Sequence, residues 1–503
     1  MKRRFFFYGP LLAGAVPAAG FGSAASLRTL GYKSPNEKLN VAAIGSGGKG
    51  HSDIMGCATE NIVALCDVDE KRAERAFKMY EKAPKYKDYR KMLDEQGRNI
   101  DAVIVATPDH MHASASIAAM ERGKHVYCQK PLTRTVWEAR MMMEAASKYK
   151  VATQMGNQGY SNEGTRQTAE IVWSGELGQV KEVHAWTDRP WWPQGTTEVP
   201  AETPVPASLE WDLWLGQAEK RPFTDGGMDF KSPYGGFYLP FNWRGFYDFG
   251  CGALGDMACH ILGAPNLALK LGAPSSVECI KKEGVSKFQF PRQSVTKFEF
   301  PARGNMGPVT VYWYDGMKAS PKIEGVPEGE WLGDLPNRPR PQGQGQQARP
   351  QPMREPAFNG MIGRVFNYET FKQLRETPDI RQASPNGSLF VGEKGMLTTG
   401  TYGETTRLIP AEKMMPEYRM PEPLLLRSPG HYRDWIRACK GGEPSCSNFS
   451  VAAPFVEWML LGVIALRVEG KLEYDAAKMR FTNNNEANQY LKPRIRKGFE
   501  IKV

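Results

Sequence analysis

Three short stretches of this chain carry residues able to do chemistry. Gly45–Gly50 reads GSGGKG, Gln129-Lys130-Pro131 lies further along, and Asp256 stands four residues before His260. The first fits G-x-G-x-x-G, a loop that approaches a pyrophosphate closely: Gly45 makes the turn, Gly47 admits the phosphates beside Ser46, and Gly50 allows tight helix packing. Asp67, at the end of the next apolar run, can accept hydrogen bonds from a ribose diol and would repel a 2′-phosphate. That favours NAD over NADP, although Lys71 and Arg72 leave NADP open. Lys130 can stabilise a developing alkoxide. On a helix, Asp256 and His260 share one face, and an imidazole is a suitable base near neutral pH. Together these residues suit removal of a hydroxyl proton while a hydride leaves carbon.

Such groups need a scaffold. Lys38–Ile44, Asn61–Cys66, Ala102–Ala106 and His125–Cys128 are apolar runs rich in β-branched residues. Helical stretches intervene, as at Lys71–Tyr80, Ser114–Arg122 and Trp137–Tyr149. Strands alternating with helices predict a doubly wound parallel sheet, an α/β Rossmann domain over 36–156. The G-x-G-x-x-G loop then sits between a strand and a helix, where free N–H groups meet phosphate. Beyond it, Val180–Thr187, Val277–Lys281, Ser294–Phe300 and Val309–Trp313 read as strands with few helices between them. This predicts an α+β domain over 157–503 with a large mixed or antiparallel sheet. Residues 337–356, rich in Pro, Gln, Gly and Arg, are expected to form a mobile loop. Residues 453–469 predict a buried apolar helix.

The quoted motifs, with CDVDEKRA at 66–73, ATPDHMH at 106–112 and GKHVYCQKPLT at 123–133, resemble the Gfo/Idh/MocA family of sugar oxidoreductases. The similarity covers the dinucleotide domain. It continues more loosely through 242–262 and 387–400, segments that resemble the family's exported bacterial branch. The resemblance implies that Lys130 contacts substrate and nicotinamide, and that Asp256 and His260 form the catalytic pair. It also implies that Thr107 and His110 touch the cofactor and that residue 129 helps hold it. Here the family's Glu-Lys-Pro glutamate is replaced by Gln129. Family members often form homo-oligomers, so a homo-oligomer is expected.

Aromatic residues crowd 186–246, where exposed rings suit the C–H faces of a sugar and Asn242 and Arg244 can bind hydroxyls. Asn157 is a further cleft candidate. Carbohydrate is therefore the expected substrate. The alternatives are a glycosidase, lyase or epimerase that oxidises transiently, and a non-catalytic sugar or nucleotide sensor. NAD-dependent glycosidases of this family typically lack the motif lysine, so Lys130 favours the dehydrogenase.

A net charge of +10 is spread along the chain rather than gathered in a recognition motif, which argues against nucleic acid. The eight cysteines form no C-x-x-C pair, so no metal site is expected and buried thiols are the simplest reading. Residues 1–35 combine Arg3-Arg4-Phe5, an apolar stretch and small residues, a pattern of twin-arginine export to the periplasm. That stretch, broken by Gly9, Pro10, Gly14 and Pro17, is a poor membrane span. An exported enzyme would lose a freely exchanging cofactor, so NAD is expected to be tightly held.

Overall fold

The computed structural model describes residues 37–228, 230–336, 365–377, 385–501 and 503. The expected export segment and the whole of the expected mobile loop at 337–356 lie outside these residues.

The first sheet contains Asn40–Ile44 (β1), Asn61–Cys66 (β2), Lys85–Tyr86 (β3), Ala102–Val105 (β4), His125–Cys128 (β5) and Thr153–Met155 (β6). Their order is β3-β2-β1-β4-β5-β6, all parallel. β4 and β5 are buried along their whole length, as a strand covered on both faces requires. Helices are set by local chemistry. The helix Val136–Tyr149 starts at a Thr135/Glu138 capping box, in which Thr135 N and Oγ1 both donate to Glu138 Oε2. It stops at Lys150, whose φ of 53° breaks the helical repeat.

The second sheet has nine strands. These are Val180–Trp186 (β7), Ser276–Glu283 (β8), Gln293–Phe300 (β9), Val309–Asp315 (β10), Gly387–Gly392 (β11), Met396–Thr399 (β12), Arg407–Ile409 (β13), Leu472–Asp475 (β14) and Arg480–Phe481 (β15). Their order is β13-β12-β11-β7-β10-β9-β8-β14-β15, with β7 and β10 parallel and the other pairs antiparallel. β9 and β10 alternate buried and half-buried residues, so one face packs inward. The helix Phe449–Ala465 lies on that face, with Trp458 edge-on to Phe298 and Phe300 at 5.2 Å each. The same helix packs on Val136–Tyr149 of the first domain.

The chain is thus less divisible than a boundary at 156 suggests. The helix His431–Cys439, which the sequence reading did not anticipate, returns to the first sheet. Its Trp435 is fully buried in one cluster with Val41, Ile104 and Tyr127. Trp435→Ala is expected to cost about 3–5 kcal/mol, the range for emptying a large aromatic site. Denaturant unfolding would read this, and a cost below about 1 kcal/mol would show that the helix does not brace the sheet.

All eight cysteines are free. No described helix is long and apolar enough to cross a membrane.

Candidate active site

The cradle forms because nothing larger than hydrogen fits. Gly45 has φ of 83°, and a Cβ there would lie 2.6 Å from Ala106 O. A Cβ on Gly50 would lie 1.8 Å from Gly45 O, so the helix Lys49–Gly56 sits hard against the turn. Its cap residue, Gly48, has no side chain to satisfy the first turn. A helix start without a side-chain cap suits an anion. Asp67 braces the loop: Oδ2 accepts from Ser46 N at 2.8 Å and Gly47 N at 2.9 Å, while Oδ1 accepts from Asp69 N at 3.0 Å. Burial raises its carboxyl above the usual range, and those three amides oppose the rise. The Ser46 hydroxyl turns inward to Cys66 O at 3.1 Å. Arg72, exposed, lies over Gly47 and Gly48.

Lys130 emerges at the end of β5, and the helix Gly252–Ile261 presents Asp256 to it. Lys130 Nζ donates to Asp256 Oδ1 at 3.0 Å and Asp256 O at 2.7 Å. Arg244 Nε donates to the same Oδ1 at 3.2 Å. Burial alone would neutralise both partners. The opposite charges win, so the ammonium of Lys130 is held above its ordinary value and the carboxyl of Asp256 well below. His260, one turn on, is buried, with its ring 4.8 Å from that of Tyr402. Burial, with Lys130 nearby, pushes its pKa well below the ordinary value. The imidazole is therefore neutral, and its Nδ1 has no protein partner. Asp109 is buried in the same charge field, and desolvation pushes it up to about 7.

Several buried polar atoms lack a protein partner: Thr107 Oγ1, both amide atoms of Asn157, Gln158 Nε2 and His260 Nδ1. Each such atom costs free energy unless something binds it. Thr107 follows β4, while Asn157 and Gln158 follow β6, at the carboxyl edge where ligands of such sheets bind. Glycine cradle, uncapped helix and orphan donors and acceptors all fit a dinucleotide.

Two of the expected site residues have protein partners of their own. His110 is enclosed between Trp214 and Phe249, ring centroids 5.2 Å from each, and its Nε2 meets Trp214 O at 3.0 Å. It packs among these aromatic rings, with Nδ1 buried and left without a protein partner. Asn242 spends its amide on its own loop, donating to Gly236 O at 2.8 Å and accepting from Ser232 Oγ at 3.3 Å. Most aromatics of 186–246 are likewise core, whereas Trp191 is half exposed. Sequence reading missed Asp109, Tyr402 and His112. The last joins two site loops, its ring nitrogens 2.8 Å from Pro131 O and 2.9 Å from Thr107 O. Asp109 and His112 stood inside a quoted motif. Nothing in the sequence marked Tyr402.

The parallel sheet and its glycine cradle have the fold of a dinucleotide-binding domain. Residues 39–157 match the model of the Gfo/Idh/MocA oxidoreductase family, NAD-binding Rossmann fold, so this domain is an NAD-binding Rossmann domain. Over 151 residues it is 30% identical to inositol 2-dehydrogenase of Salmonella typhimurium, covering 29% of this chain and 44% of that one. Over 120 residues it is 33% identical to levoglucosan dehydrogenase of Pseudarthrobacter phenanthrenivorans, covering 22% and 30%. A glycosyl hydrolase family 109 protein of Solibacter usitatus is 29% identical over 163 residues, covering 29% and 37%. These matches span less than half of each relative. The fold likeness is longer: the WlbA dehydrogenase of Bordetella pertussis, solved with NADH and UDP-GlcNAcA, aligns over 87% of this chain and 99% of its own. Its TM-score is 0.53 at 15% identity.

Proposed function

We propose that the protein oxidises a secondary hydroxyl of a sugar or glycoside, passing hydride to NAD. The carrying observation is the buried Lys130–Asp256–Arg244 cluster beside a neutral His260 at the carboxyl edge of an NAD-binding sheet. Bound NAD supplies the hydride acceptor. His260 takes the hydroxyl proton. Lys130, kept charged by Asp256, stabilises negative charge building on the substrate oxygen. Arg244 fixes the Asp256 carboxylate and offers its remaining N–H groups to neighbouring hydroxyls. The inositol and levoglucosan dehydrogenases among its relatives support a polyhydroxylated substrate.

Mixing the protein with NAD and a panel of sugars and glycosides, while following near-ultraviolet absorbance, tests this. Reduced nicotinamide should accumulate well beyond one equivalent per enzyme. His260→Ala should lower kcat by about 10²–10⁴-fold, the usual weight of a positioned base. A variant with full turnover would remove His260 from the chemistry. The family 109 relative supports a second reading, transient oxidation during glycoside cleavage. In that case absorbance would stop at one equivalent while product continues to form.

Twin-arginine export and assembly into a homo-oligomer belong to the same proposal, supported by Arg3-Arg4-Phe5 and by the family resemblance respectively. Cell fractionation after Arg3→Lys/Arg4→Lys substitution tests the first: the protein should stay in the cytoplasm. Light scattering tests the second, and a monomer would refute it.

A further inference from the structure

Behind the cradle lies a buried polar cluster that the proton and hydride chemistry does not use. Asp53, on the helix Lys49–Gly56, has no exposed surface. Its Oδ2 accepts from Gln129 Nε2 at 2.8 Å, and its Oδ1 accepts from Tyr432 Oη at 2.7 Å and from Lys49 Nζ. Lys49 Nζ also reaches Tyr432 Oη at 3.3 Å. Tyr127 Oη lies 3.4 Å from Gln129 Nε2 and 3.0 Å from His431 Nε2. The cluster thus joins three elements: the cradle helix, the end of β5 that leads directly to Lys130, and the returning helix His431–Cys439.

The chemistry at residue 129 follows. A carboxylate only accepts, so residue 129 must present a donor to Asp53. The amide does so, and Gly156 closes behind it, since a Cβ there would lie 2.8 Å from the amide. A glutamate would set two carboxylates against each other in a site with no water-exposed escape. One of them would have to hold a proton.

We propose that Asp53 and Gln129, with Tyr432 and Lys49, form a clamp that sets the spacing between the pyrophosphate cradle and Lys130, and that Asp53 carries the negative charge which excludes glutamate from position 129. These are positioning residues: none reaches the reacting atoms. The inference rests on Lys130 marking the redox site, and its test is independent of sugar turnover.

The test uses Gln129→Glu, Asp53→Asn and the double variant, in the full chain. NADH affinity is read by fluorescence titration, and apo-protein melting by a dye assay, from pH 6 to pH 8.5. The groups facing Asp53 are Lys49, Gln129, Tyr127, Tyr432 and the Cys57 thiol, which burial and Asp53 hold protonated. His431 packs on Tyr432 at 5.4 Å and is lowered to about 3 by burial, so it stays neutral throughout. In this window the only new titration is that of the carboxyl introduced at position 129.

Its folded pKa is raised above the ordinary glutamate value, so the stability of Gln129→Glu is greatest at low pH and falls as pH rises. Gln129→Glu should therefore bind NADH about tenfold more weakly at pH 8 than the parent and melt lower, with both deficits shrinking at pH 6. Adding Asp53→Asn swaps donor and acceptor, and should restore affinity to within about threefold and flatten the pH dependence. If Gln129→Glu fails to fold, the double variant must still fold and bind. An unchanged Gln129→Glu, a deficit independent of pH, or a double variant no better than the single overturns the clamp. Loss of sugar oxidation with these readings intact would count against the proposed function alone.

Discussion

Lys130→Met should lower kcat for sugar oxidation by about 10²–10³-fold, the usual loss when one preorganised stabiliser of a developing oxyanion is removed. The size follows from burial. Nζ lies 3.0 Å from a carboxylate that also accepts from Arg244, in a site largely closed to water. There a charge acts at low dielectric and needs no reorganisation as the reaction proceeds. Methionine keeps the stem's volume and apolar packing while removing the ammonium. The substitution leaves Asp256 with Arg244 as its neutralising partner, so the helix Gly252–Ile261 should keep its place. Steady-state rates combined with NADH titration separate the outcomes. NADH affinity within about threefold and a collapsed kcat fit a chemical role. If affinity and melting temperature fall as steeply as kcat, Lys130 is instead a structural partner of Asp256.

Gly50→Ala is the second large effect, and it acts at the other end of the cofactor. The added methyl would lie 1.8 Å from Gly45 O and 3.2 Å from Ala106 Cβ. Neither neighbour can rotate away, because one is backbone and the other is anchored at the end of β4. The helix must move off the turn, and the N–H groups of its first turn move with it. Overpacking of this kind costs about 1–3 kcal/mol. At about 1.4 kcal/mol per decade, NADH should bind roughly ten- to a hundredfold more weakly. Gly97→Ala, where a Cβ would meet nothing within 4 Å, is the matched control and should leave binding unchanged. Calorimetric titration of both variants against NADH checks the contrast. Equal affinities would mean that the tight helix–turn contact has no part in holding the phosphates.

What the sequence determined by itself was local. G-x-G-x-x-G after an apolar run fixes a phosphate turn because only glycine tolerates that backbone path and that approach. Asp67 at the end of β2 and Asp256 one helical turn before His260 follow from chain spacing alone. The parallel order of the first sheet was legible in strands too uniformly apolar to have a solvent face. Ser294–Phe300 and Val309–Trp313 were likewise legible as strands of a mixed or antiparallel sheet.

Tertiary structure decided what those residues meet. Period and propensity give no partner across hundreds of residues, so Tyr432 at Asp53, Tyr402 at His260 and Trp435 under β1 could not be foreseen. The same limit hid the partners of His110 and Asn242: the fold spends one ring nitrogen on the Trp214 carbonyl and the amide nitrogen on that of Gly236. Gln129 shows the division most clearly. In sequence it is a missing charge within a familiar motif. In the folded chain a carboxyl group stands 2.8 Å away on Asp53, and the amide at position 129 donates to it where a glutamate's carboxylate could only accept.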